Sequence, residues 1–179
     1  GVQTCALPIL TIVDILQWLE GTALATAVVE SPYGFPAVVA VHILALAFSV
    51  GLLLWVDLRM AGLALRGSRV TDVYRGLAPW FLAGFALMLA SGLVLFAAFA
   101  TRAYVNDFFR IKMAALVLAG VNALVFHFVT QRSSAEWDAL ARPPAGVRAA
   151  GYASLALWAI VIFAGRMMSY TMFSFPAGP

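Results

Sequence analysis

The chain has 179 residues, 64% of them hydrophobic and only 11% charged, with a mean hydropathy of +0.97; soluble domains run at roughly 45–50% apolar and about 25% charged. That balance excludes water as the main solvent of the surface. Eleven basic residues against eight acidic ones give +3, but they are scattered between apolar runs rather than gathered along a groove or tail, which excludes the electrostatic footprint of a nucleic-acid binder.

Residues 1–9, Gly-Val-Gln-Thr-Cys-Ala-Leu-Pro-Ile, match the translation of a sequencing-library adapter and are set aside from fold reasoning as an expected artefact. Cys5, the only cysteine, goes with them, so the remainder offers no disulfide, thiolate metal ligand or cysteine nucleophile. Residues 10–36 read as an amphipathic interfacial helix and a turn. Asp14, Glu20 and Glu30 interrupt an apolar series that includes Leu16, Trp18 and Leu19, which suits a helix lying in the headgroup region. The run Ser31-Pro32-Tyr33-Gly34-Phe35-Pro36 then turns the chain into the bilayer.

A bilayer core needs about 20 apolar helical residues, and the segments near 37–57, 77–100, 108–130 and 149–170 meet that length. The expected fold class is therefore all-α, a polytopic membrane four-helix bundle over 37–172 with an N-terminal amphipathic interfacial helix and a tail at 173–179. Arg59, Arg66, Arg69 and Arg75 follow the first span, and Arg132, Arg142 and Arg148 follow the third. By the positive-inside rule both loops are expected in the cytoplasm and both termini on the far side, with Arg102, Arg110 and Lys112 a mild violation.

Polar groups inside a bilayer are costly, so His42, Ser49, Asn122, His127 and Arg166 are the residues to explain, with Lys112 near a span end. At 1.5 Å per residue His42 lies about 9 Å inside the first span and His127 about 7.5 Å from the opposite end of the third. Across a core of about 30 Å the two are expected on different levels, which argues against one bis-histidine haem. Methionine would be the substitute ligand. Met113, Met167, Met168 and Met172 fall near the depth of His42, and imidazole with thioether suits copper or haem b, with His42 as the metal ligand and His127 at a separate inner site. Arg166 then suits a haem propionate or an anionic headgroup.

Each candidate also has an ordinary structural reading. The histidines would bond a neighbouring helix, the methionines would fill gaps, Asn122 would be interhelical glue, and Arg166, one turn from the expected helix end, would snorkel. Tyr152, Ala156, Ala159, Phe163, Arg166 and Tyr170 form one helical stripe, placing Arg166 and Tyr170 on one face. Met113, Gly120 and His127 recur every seven positions, as do Gly84 and Ser91, so both sets are expected to face the bundle. Asp57 is expected against Arg69 or Arg75, or as a topology-fixing charge. No catalytic residue is assigned, because no HExxH, phosphate loop or placed nucleophile occurs.

The turn at Ser31–Pro36, His42, Gly51, Asp57-Leu58-Arg59, Phe109-Arg110-Ile111-Lys112 and Asn122-Ala123-Leu124-Val125-Phe126-His127 together resemble an uncharacterised family of small bacterial four-helix integral membrane proteins, a domain of unknown function. The resemblance implies a membrane location and this architecture, and no activity; the expected membrane is the bacterial inner one. A looser similarity is to bundles of the cytochrome b561 and CopD type, from which the chain departs in lacking paired histidines at each level. The expected function is a non-enzymatic accessory subunit that contacts the lipid bilayer and a membrane protein partner or a second copy of itself. The alternatives are a haem- or copper-binding redox protein using His42, and a small transporter with a polar path through Ser49, Asn122 and His127.

Overall fold

The first helix starts where a side chain can satisfy its free N–H groups. Thr11 accepts from the Asp14 N–H at 3.3 Å while the Asp14 carboxylate accepts from the Thr11 hydroxyl and N–H, both at 2.7 Å, a capping box. These bonds from Thr11 hold the Asp14 carboxyl below the usual carboxylate range. The computed structural model describes residues 11–130, 137, 138, 140 and 142–174, and the described residues contain no strand. Residues 1–9 and Cys5, Arg132 and the end of the expected tail lie outside the described residues.

Helix α1 runs Ile12–Glu20 and α2 Ala23–Glu30. The single amphipathic helix expected here is thus two helices, bent by 58° at the break between them. The break falls at Gly21 and Thr22, where the Thr22 hydroxyl donates to the Leu19 carbonyl at 2.7 Å and terminates α1. Leu16, Ala25 and Val28 are buried, and the Glu20 carboxylate accepts from the Thr101 N–H at 2.8 Å, so the pair is fastened to the end of the bundle. Taken as one broken span, α1 and α2 also reach the length and hydropathy of a membrane crossing.

Among the described residues, four helices are long and apolar enough to cross a membrane individually. They are α3 (Gly34–Ala61), α4 (Val70–Ala98), α6 (Asp107–Val125) and α7 (Ala145–Ser174), with the short α5 (Ala100–Val105) between α4 and α6. Each expected span is present, and α3, α4 and α7 are longer than hydropathy alone defined, because their polar end turns are also helical. Helix α3 ends at Gly62, whose left-handed φ of 75° lets its N–H and that of Leu63 return to the Arg59 and Leu58 carbonyls. Asn106 caps α6, accepting from the Phe108 and Phe109 N–H groups. Past Val125 the helix widens into a π turn over Phe126–Thr130.

The antiparallel hairpins α3–α4 and α6–α7 join through α3 and α7. In lipid there is no hydrophobic force between helices, so close contact carries the association. One core layer gathers Ala45, Met88, Ala115, Trp158 and Val161, with Phe85 edge-on to Trp158. A second, at the arginine-rich end, gathers Val56, Met60, Val70, Phe126, Trp137 and Val147. Glycine permits the closest approaches. A Cβ on Gly151 would lie 2.8 Å from the Asp57 carbonyl oxygen, and one on Gly84 would lie 3.0 Å from the Ser49 Cβ.

Candidate functional site

His42 is on α3, facing α4. Its Nδ1 lies 3.0 Å from the Met88 carbonyl oxygen and 3.0 Å from the Ser91 Oγ. A carbonyl only accepts, so in the neutral ring Nδ1 carries the proton and Nε2 the lone pair. Ser91 spends its own proton within α4, on the Leu87 carbonyl at 2.8 Å or that of Met88 at 3.1 Å. Gly92 makes room for the ring, since a Cβ there would meet the His42 Cε1 at 3.1 Å. Lys112, on α6, is close enough to act electrostatically on His42. Its Nζ passes Gly165 of α7, 3.7 Å from where a Cβ would stand.

The methionines do not complete this layer as expected. Met113 is 42% exposed, because the face α6 turns inward is formed by Lys112, Ala115, Leu116, Ala119 and Asn122. The row Met113, Gly120, His127 therefore lies outward, and the expectation that it faces the bundle is corrected. His127 is exposed on the π turn, edge-on to Phe128, and Gly120 has open space where a Cβ would stand. Two alanines one turn apart, Ala115 and Ala119, admit the neighbouring helix in place of Gly120. Gly84 and Ser91, by contrast, are buried as expected. Met167 and Met168 are half-buried on α7, and Met172 is buried.

The two histidines are also separated in depth. His42 is eight residues past the start of α3 at Gly34 and His127 twenty past the start of α6 at Asp107, which at 1.5 Å per residue puts them about 18 Å apart along the bundle. They do not fit a shared bis-histidine haem. Nor do the residues of the expected polar path meet: Ser49 is buried against α4, Asn122 donates to the Ala150 carbonyl of α7 at 3.0 Å, and His127 is outside.

A second polar cluster occupies the arginine-rich end. Asp57 is 4% exposed and bonded to Ser154 of α7; Arg69 and Arg75, its expected partners, are exposed. The reason is Gly151, which brings α7 against the α3 backbone and delivers Ser154 one turn later. Arg59 is fully buried, its Nε donating to the Ser68 carbonyl at 2.6 Å and its terminal nitrogen to the Leu140 carbonyl at 3.0 Å. Asp138 accepts from the N–H and hydroxyl of Thr71 and lies within the field of Arg59. Sequence reasoning missed Ser154, Asp138 and the burial of Arg59. The Gly151-x-x-Ser154 step was the available signal for the first.

Arg166 and Tyr170 share a face, as expected. The guanidinium donates to the Tyr170 hydroxyl at 2.7 Å and its carbon lies 4.6 Å from the ring centroid. The whole stripe Tyr152, Ala156, Ala159, Phe163, Arg166, Tyr170 is exposed. Because α7 continues to Ser174, Arg166 stands two turns inside the helix rather than one.

The chain belongs to the family of unknown function DUF6644, whose model matches residues 7–171. No curated protein and no solved structure matches the chain, so the looser similarity to cytochrome b561 and CopD bundles has no match behind it.

Proposed function

We propose that this member of the family is a non-enzymatic accessory subunit of a membrane assembly, seated with its arginine-rich end in the cytoplasm and docked to a partner helix through the outward face of α7. The supporting observation is Arg166. A guanidinium on the outer face of an apolar helix is costly in hydrocarbon. Among the described residues no carboxylate pairs with it; the one ion pair is Arg110 with Asp107. Ala156 and Ala159 on the same stripe allow close backbone approach, with Phe163 and Tyr170 flanking. The chemistry this face recognises is a transmembrane helix carrying a carboxylate or amide at the depth of Arg166, from another protein or from a second copy. Within the chain, His42, Asn122 and Asp57 already serve helix association, and Arg59 ties the two connections at the basic end. Native electrophoresis of mildly solubilised membranes tests the reading. The wild type should migrate above the monomer and Arg166→Leu at the monomer with unchanged helical signal; a monomeric wild type contradicts it.

A second reading, haem b or copper binding, is favoured by the tautomer of His42. A carbonyl bond at Nδ1 is how metal-ligating histidines are oriented, and it leaves the Nε2 lone pair to bind a metal. An optical spectrum with iron and copper analysis of the purified protein tests it. A reducible Soret band or stoichiometric copper, lost in His42→Ala, would put this reading first; a colourless, metal-free folded protein counts against it.

A further inference from the structure

Three arginines that hold neither hairpin together surround a pocket of about 370 Å³ at the basic end of the bundle. It is lined by Ala61, Gly62 and Leu63 at the end of α3 and by Arg66, Arg142, Arg148 and Tyr152. Arg66 is aimed by its Nε, which donates to the Gly62 carbonyl at 2.9 Å and leaves the remaining guanidinium N–H groups available. Arg148 belongs to the first turn of α7, its own N–H bonded to the Pro144 carbonyl at 3.1 Å. The helix begins beside the pocket and adds the partial positive charge of its N-terminus. Among the described residues no carboxylate lines the pocket, and Asp138, nearby in sequence, is spent on Thr71.

We propose that this pocket binds a phosphate ester, and that its position identifies the source as the headgroup of an anionic phospholipid. Forked guanidinium groups match phosphate oxygens in pairs. Basic pockets between transmembrane helices at the cytoplasmic end take such headgroups. The pocket stands where the end of α3 meets the start of α7, and the exposed Leu63 and half-exposed Tyr152 offer apolar surface for the start of an acyl chain. The site is separate from the outward α7 contact at Arg166, near the opposite end of the same helix.

The test is a titration of the full detergent-solubilised chain with short-chain phosphatidylglycerol, short-chain phosphatidylcholine and inorganic phosphate. Phosphatidylglycerol should bind in preference to phosphatidylcholine, and more weakly as salt rises. Arg142→Gln and Arg148→Gln should each weaken it about fivefold, while Arg75→Gln, an exposed arginine outside the pocket, should not. Inorganic phosphate binding as tightly as phosphatidylglycerol, with the same arginine dependence, would support the phosphate site and overturn the lipid as its source. Equal binding of both lipids, or pocket variants indistinguishable from Arg75→Gln, would overturn the proposal.

Discussion

The Nδ1 of His42 lies 3.0 Å from the carbonyl oxygen of Met88, tying the N-terminal part of α3 to α4. Ser91 closes the same contact at 3.0 Å. Interhelical bonds of this kind average about 0.6 kcal/mol in membranes and reach about 1.7. In a double-mutant cycle of His42→Ala with Ser91→Ala, followed by unfolding in mixed micelles, the two substitutions should couple by roughly that amount. Additive effects would show that the contact does not operate.

Two glycines on neighbouring helices should respond oppositely to alanine. At Gly151 the added methyl would meet the Asp57 carbonyl at 2.8 Å and the Ala61 nitrogen at 3.0 Å, both backbone atoms of α3. Gly151→Ala should cost about 1–3 kcal/mol through overpacking. At Gly120 nothing stands within 4 Å, and Gly120→Ala should leave stability unchanged or raise it by up to about 1 kcal/mol from helix propensity. Thermal unfolding of the two variants side by side checks the ordering.

Arg59 joins both connections at the basic end, through the Ser68 and Leu140 carbonyls. Arg59→Met keeps the bulk of the buried side chain and removes the charged donor of two part-buried hydrogen bonds, at about 1–3 kcal/mol. Limited trypsin digestion should then cut faster near Arg66 and Arg69 than in the wild type. Arg75→Met, at an exposed position, should digest at the wild-type rate.

The four spans were legible because runs of 17 to 26 successive uncharged, mostly apolar residues leave a helix no other economical place. Their polar ends were not. The last turn of α3 holds Asp57 and Arg59, which hydropathy reads as loop and the structure buries against Ser154 and the two connections. Helix rotation was legible only in part. Gly84 and Ser91 were assigned to the correct face of α4, and Asn122 bonds a neighbouring helix as expected. The row of Met113, Gly120 and His127 was given the wrong face of α6. In a helix apolar all round, a seven-residue recurrence does not distinguish the packed face from the lipid-facing one, and the alternative pair Ala115 and Ala119 carried the packing. Lys112 was read as a span-end charge, whereas its long side chain reaches the level of His42 and Gly165.

The central claim is that the outward stripe of α7 meets another membrane helix. The direct measurement is photocrosslinking in native membranes from a probe placed singly at Ala156, at Phe163, or at Val117 on the outward face of α6. The expected result is a discrete protein adduct from positions 156 and 163, absent from 117 and lost when Arg166→Leu is added. An adduct of twice the chain mass would identify the partner as a second copy. Only lipid adducts, equal at all three positions, would contradict the account.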